Sequence, residues 1–107
     1  MYKILILTGN VEERSLLYDT LQEFDEEFEL YEAKVEEDAL QVINSKNIQI
    51  VIKDRQINLY EINKTYPLIE IIEIGEQKES LKQSLIEAIR RIIKREVDEH
   101  TWQFCRL

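Results

Sequence analysis

Residues 3–54 read KILILTGNVEERSLLYDTLQEFDEEFELYEAKVEEDALQVINSKNIQIVIKD, and the fold class follows from how this stretch alternates. Lys3–Leu7 is a continuous apolar run of the kind found in strands buried on both faces. Thr8-Gly9-Asn10 is turn chemistry. Asn10 can cap a helix that begins at Val11, with Glu12 and Glu13 favourable in its first turn. Leu16, Leu17, Leu21 and Phe24 give that helix an apolar face, and Asp25-Glu26-Glu27 breaks it. Phe28–Glu32 alternates, as in a strand near a sheet edge. Val35, Ala39, Leu40 and Ile43 mark a second helix that ends near Asn44–Asn47. Ile48–Lys53 is the third strand, and Asp54 closes it.

Beyond Asp54 the pattern weakens. Arg55–Thr65 is polar with scattered apolar residues, which predicts a loop or at most a short helix. Pro67 opens a strand-like run, Leu68–Ile74, closed by Gly75. Glu76–Glu96 reads as one long helix with Leu81, Leu85, Ala88, Ile89, Ile92 and Ile93 at helical spacing. Arg90, Arg91, Lys94 and Arg95 fall in its last turns, where cations suit the helix dipole. Residues 1–96 form the expected domain. Residues 97–107 are a tail or the start of a linker, which continues the helix, forms an edge strand through Trp102 and Phe104, or dangles.

Strands alternating with helices predict a three-layer α/β sandwich around a parallel sheet of four or five strands. The expected order is 2-1-3-4, with right-handed crossovers placing helices on both faces. In such a sheet, ligands and chemistry sit at the carboxyl ends of the strands. One such end carries Thr8 and Gly9, which are uncharged, and the other carries the lone carboxylate of Asp54.

The chain of 107 residues fits one domain and can form a core without disulfides or metals. Its net charge is −8, unevenly placed: residues 1–50 hold 12 Asp and Glu against 4 Lys and Arg. An acidic first half argues against direct nucleic-acid binding, which needs a basic footprint, and against anionic membranes. The N-terminus carries no signal-peptide pattern, no stretch is long and apolar enough to span a bilayer, and the single cysteine fits a reducing cytoplasm.

The run from Ile4 to Asp54 resembles a response-regulator receiver domain of two-component signal transduction. Glu12, Arg14, Leu16 and Leu17 fall where the family's first helix has E-x-R-x-x-L. Glu37-Asp38-Ala39-Leu40 falls on its EEAL, and Asp54 on its phosphoacceptor. The resemblance implies a flavodoxin-like fold and a signalling role, often N-terminal to an output domain such as a transcriptional activator.

The departures from the family are specific. Its Mg²⁺-binding acidic pair is replaced by Thr8 and Gly9, and one carboxylate makes a poor magnesium site. Ile74-Gly75 lacks the hydroxyl that ends the family's fourth strand. No residue matches the family's lysine, and too little chain follows Gly75 for a fifth strand and a final helix of ordinary length. The long helix therefore replaces the last helix of a truncated receiver-like fold. The expectation is a degenerate, phosphorylation-independent pseudo-receiver: a regulatory or protein-interaction module, not an enzyme, with no cofactor. One alternative is an active receiver phosphorylated on Asp54, with metal held by Glu12, Glu13 or Glu73. A second is a small anion- or nucleotide-binding flavodoxin-like module using Thr8-Gly9-Asn10.

Other residues have plainer readings. Asp54 also suits a strand end that caps the next turn, with Lys53 and Arg55 as ion-pair partners. His100 lies in a polar stretch and Cys105 has no activating neighbour, so both read as bystanders. The long helix carries a second apolar stripe, Ile86, Ile89, Ile93 and Val97. With Trp102 and Phe104 it gives candidate contacts for a homodimer, a partner protein or an output domain.

Overall fold

The computed structural model describes residues 2–24, 27–74 and 78–105; for residue 78 and residues 97–105 it describes the main chain alone. The elements follow in the order β1 (Tyr2–Leu7), α1 (Val11–Gln22), β2 (Phe28–Ala33), α2 (Glu36–Lys46), β3 (Ile50–Lys53), α3 (Tyr60–Thr65), β4 (Glu70–Glu73) and α4 (Lys78–Cys105). All strand pairs are parallel and the order is β2-β1-β3-β4, as the pattern predicts.

Strand alternation divides the core into two layers. Ile4 and Ile6 of β1, Ile50 and Ile52 of β3, and Ile72 of β4 face α1 and α4. Leu5, Leu7 and Val51 face the opposite way, against Ala39 and Ile43 of α2 and Ile62 of α3. Both faces of β1 and β3 are thus covered, which is why those strands read as unbroken apolar runs. The edge strand β2 is only half-buried on most of its length, which is why it reads as alternating.

Helix ends differ in their chemistry. Asn10 Oδ1 accepts from the N–H groups of Glu12 and Glu13 and caps α1. Helix α2 starts on Val35 and α3 on Leu59, and neither has a side-chain cap. A lost cap typically costs about 1 kcal/mol. Asn47 ends α2 in the left-handed region at φ 55°, a conformation asparagine tolerates.

Several expectations need correction. Val35 is an exposed cap residue and no part of the α2 core face. β4 starts at Glu70, because Pro67 and Leu68 form a turn and Leu68 is exposed. Within 55–65 the short helix that the pattern allowed is present as α3, six residues with Ile62 buried. Leu16 is only half-buried, whereas Thr20 is fully buried on the same helix, with its hydroxyl donating to the Leu16 carbonyl at 2.8 Å. Helix α4, described from Lys78, runs nine residues further than the 76–96 pattern, through Cys105. Its 28 residues measure roughly 42 Å, well beyond the roughly 20 Å of a six-residue strand.

The two stripes of α4 do not separate as expected. Ile89 is 8% exposed and packs into the sheet with Leu81, Leu85, Ala88 and Ile92. It is ordinary core, because those five residues fall within one helical face. Ile86 is half-buried and Ile93 is 44% exposed, so those two remain at the surface. The side chains of Val97, Trp102 and Phe104 lie outside the described residues.

Candidate functional site: the carboxyl ends of β1 and β3

The chain leaves β1 outward to β2 with α1 on one face, then returns to β3 and β4 with α2 and α3 on the other. The direction of winding therefore reverses between β1 and β3. Such a switch point opens a crevice outside the strand ends. Leu7 pairs with Lys53 across it, and the Asp54 N–H donates to the Leu7 carbonyl at 3.0 Å. Thr8 and Asp54 are thus held side by side although 46 residues separate them. A cleft of about 420 Å³ lies here, lined by Asn10, Glu12, Glu13 and Leu16 on one side and Asp54, Arg55, Gln56 and Ile74 on the other.

The polar groups around the start of α1, beside this cleft, are engaged with one another. Thr8 is fully buried. Its hydroxyl donates to Glu13 Oε2 at 3.0 Å and accepts from the Asn10 N–H at 3.1 Å. Arg14 Nη2 donates to the Thr8 carbonyl at 3.1 Å. Its Nε lies 3.7 Å from Glu32 Oε1, buried and without a hydrogen bond. Tyr18 donates its hydroxyl to the same Glu32 oxygen. That bond, then burial and the carboxylate charge, push the Tyr18 phenol above its usual value. The start of α1 is therefore latched to the ends of both β1 and β2.

Asp54 behaves as a turn former. Its Oδ1 accepts from the Gln56 N–H at 3.1 Å, and its carbonyl accepts from the Ile57 N–H at 3.1 Å. The expected ion pair with Lys53 or Arg55 is absent among the described residues. Successive side chains of a strand point to opposite faces, so Lys53 turns away from Asp54. Its ammonium donates to the carbonyls of Ile57 (3.0 Å) and Asp54 (3.3 Å) and lies 3.5 Å from Glu73 Oε1. It braces the 54–57 turn from beneath. The periodicity of two contained this information, but adjacency in sequence masked it.

No protein-family model matches the chain, and no curated protein matches it. Among solved structures it is similar to the crystal structure of a two component transcriptional regulator AraC from Clostridium phytofermentans ISDg. The match has a TM-score of 0.78 at 13% identity and covers 92% of this chain and 99% of that one. The fold is receiver-like. At this identity the likeness extends to the architecture, so the chemistry of the crevice must be read from its own residues.

A receiver's crevice implies a divalent cation, and the residues here do not fit one. Among the described residues no group of three or more His, Cys, Asp or Glu side chains lies close enough to hold a metal ion. Of the acids considered as substitutes, Glu13 is occupied by Thr8 and Glu73 by Lys53, and Glu12, on the α1 side of the cleft, adds at most one further carboxylate to Asp54. Gly9 is not demanded by the backbone: it has no positive φ, and a Cβ added there would meet nothing within 4 Å. An acid would be sterically accepted at that position, so its place here is a matter of chemistry and not of packing.

Proposed function

We propose that this protein is a receiver-like regulatory and protein-interaction module of signal transduction that works without phosphorylation of Asp54. It is not an enzyme, uses no cofactor and acts in the cytoplasm. The carrying observation is the self-satisfied crevice. Thr8 and Gly9 stand beside Asp54, the Thr8 hydroxyl is bound to Glu13 and Asn10, and the Lys53 ammonium is committed to carbonyls. A phosphoryl group on Asp54 would find the Lys53 ammonium already committed and only the exposed Arg55 beside it in the cleft, a weak substitute for the charges that stabilise phosphoryl transfer.

The partner in this reading is a protein or a C-terminal output domain, such as one that regulates transcription. The similar structure belongs to a protein described as a transcriptional regulator, which supports that direction. Direct contact with nucleic acid or membrane is not part of the proposal; no helix among the described residues is long and apolar enough to cross a bilayer. Homodimerisation through the exposed Ile93 flank of α4 belongs to it.

Incubation with acetyl phosphate and Mg²⁺, followed by intact-mass measurement, tests the reading. The mass should stay unchanged. A phosphate adduct that disappears in Asp54→Ala would refute it and establish a working phosphoacceptor.

A further inference from the structure

A second cavity lies at the amino ends of β3 and β4, at the end of the sheet opposite the Asp54 crevice. It measures about 440 Å³ and is walled by the residues before β3, the turn at 66–69 and the stretch of α4 from Ile92 to Glu96. Ile48 and Ile92, both buried, and Ile69, half-buried, give it apolar walls. Leu68 lines the same cavity with 73% of its surface exposed. Sites for small molecules are hollows of about 300–1,000 Å³ with apolar walls and a few fixed polar groups.

Two polar groups of the lining are fixed by bonds that leave donors over. Gln49 Oε1 accepts from the Lys3 N–H at 3.0 Å, which holds the amide and leaves its NH2 as donor. Arg95 Nη1 donates to the Leu68 carbonyl at 2.6 Å and Nη2 to Glu70 Oε1 at 2.6 Å. Nε–H and the second hydrogen of each terminal nitrogen are left over. The hydroxyls of Thr65 and Tyr66, also in the lining, donate or accept alike and do not select.

The charge agrees with the donors. Arg91 and Arg95 share the carboxylate of Glu70, so this cluster keeps a positive charge in surplus. Glu96 is the acid in the lining, and it is exposed, where water and salt screen it. Fixed donors beside apolar walls suit a molecule that has an apolar body and an acceptor at one end.

We propose that this cavity binds a small amphiphilic carboxylate, its apolar body against Ile48, Leu68, Ile69 and Ile92 and its head accepting from Arg95 and Gln49. A guanidinium held in place matches a carboxylate in shape and charge. Such a ligand touches α4 and the residues leading into β3 and β4 at once, and so ties the helix to the sheet where it runs on through Cys105. The inference goes beyond the signalling reading and does not depend on whether Asp54 accepts phosphate.

The probe is octanoate, titrated into the full chain and followed by backbone NMR shifts, with octanol and octylamine as comparisons. Saturable binding in the millimolar range or tighter is expected, with shifts centred on residues 48–49, 65–69 and 92–96. Octanol and octylamine should bind more weakly by at least about fivefold, since neither brings a charged acceptor. Leu68→Ser should weaken octanoate by at least about threefold through lost apolar contact. That site is exposed, so the urea midpoint of the variant should stay put. Arg95→Met also loses the bond to Glu70, so its readout is selectivity: the preference for octanoate over octanol should fall to about parity.

No saturation in the millimolar range, or shifts centred away from these residues, would overturn the proposal. Octanol or octylamine binding as well as octanoate would overturn it too, as would an octanoate affinity untouched by Leu68→Ser. A preference for octanoate that survives in Arg95→Met would show that Arg95 does not hold the head, and would overturn it as well.

Discussion

Replacing Glu70 by glutamine should loosen α4 from the sheet. Glu70 begins β4, and its side chain is 15% exposed. Its two oxygens receive Arg91 Nε at 2.8 Å and Arg95 Nη2 at 2.6 Å, and Arg95 also donates to the Leu68 carbonyl at 2.6 Å. At an effective dielectric of 20, a full charge pair at this distance would give about 6 kcal/mol. That bound is far too high, since both guanidiniums are more than a third exposed and screened by water. Exposed pairs contribute about 0.2–1 kcal/mol each. A mostly buried acceptor puts these two near the upper end. Glu70→Gln keeps the shape and removes the charge, so it should cost about 1–2 kcal/mol. For a domain of this size that lowers Tm by roughly 5–10 °C.

Urea unfolding at low salt gives the stability, and a double-mutant cycle with Arg95→Met isolates the pair. The loss should shrink in about 1 M NaCl. An effect below about 0.3 kcal/mol at low salt, or fully additive Glu70 and Arg95 substitutions, would refute the reasoning and show the clamp to be incidental.

Three further outcomes follow from single sites. Leu85→Ala, at a position with no exposure, should destabilise by about 2–5 kcal/mol in urea unfolding, as cavity-forming substitutions do. Gly9→Asp should fold with a urea midpoint near that of the parent, since a Cβ there meets open space and the backbone is not left-handed. Tyr18 holds its proton more tightly in the folded state because of the bond to Glu32, so its contribution is full below the unfolded value near pH 10 and fades as pH rises through the folded value. In Glu32→Gln the phenol should titrate at lower pH, followed by the Tyr18 ring-carbon NMR shift.

The parallel sheet, its order and its two-sided burial were legible in the residues themselves. Unbroken runs such as Ile4–Leu7 occur only where both faces are covered, and the alternation in Phe28–Glu32 only where one edge is open. Asn10 as a cap and Asp54 as a turn former were legible too, because both act on main-chain groups two or three residues away. Local chemistry of this kind needs no tertiary context.

What the sequence alone could not decide depended on packing direction. Ile89 and Ile93 are four residues apart on one helix, yet one is core and the other surface, because the sheet covers only part of the helix circumference. Lys53 and Asp54 are neighbours in the chain yet face opposite ways, so the ion pair suggested by adjacency gave way to a brace beneath the turn. Val35 matched the apolar spacing of α2 but lies a residue before the helix, in the open. Sequence fixes periodicity along one element. Which part of each period meets another element is settled only when the layers stack.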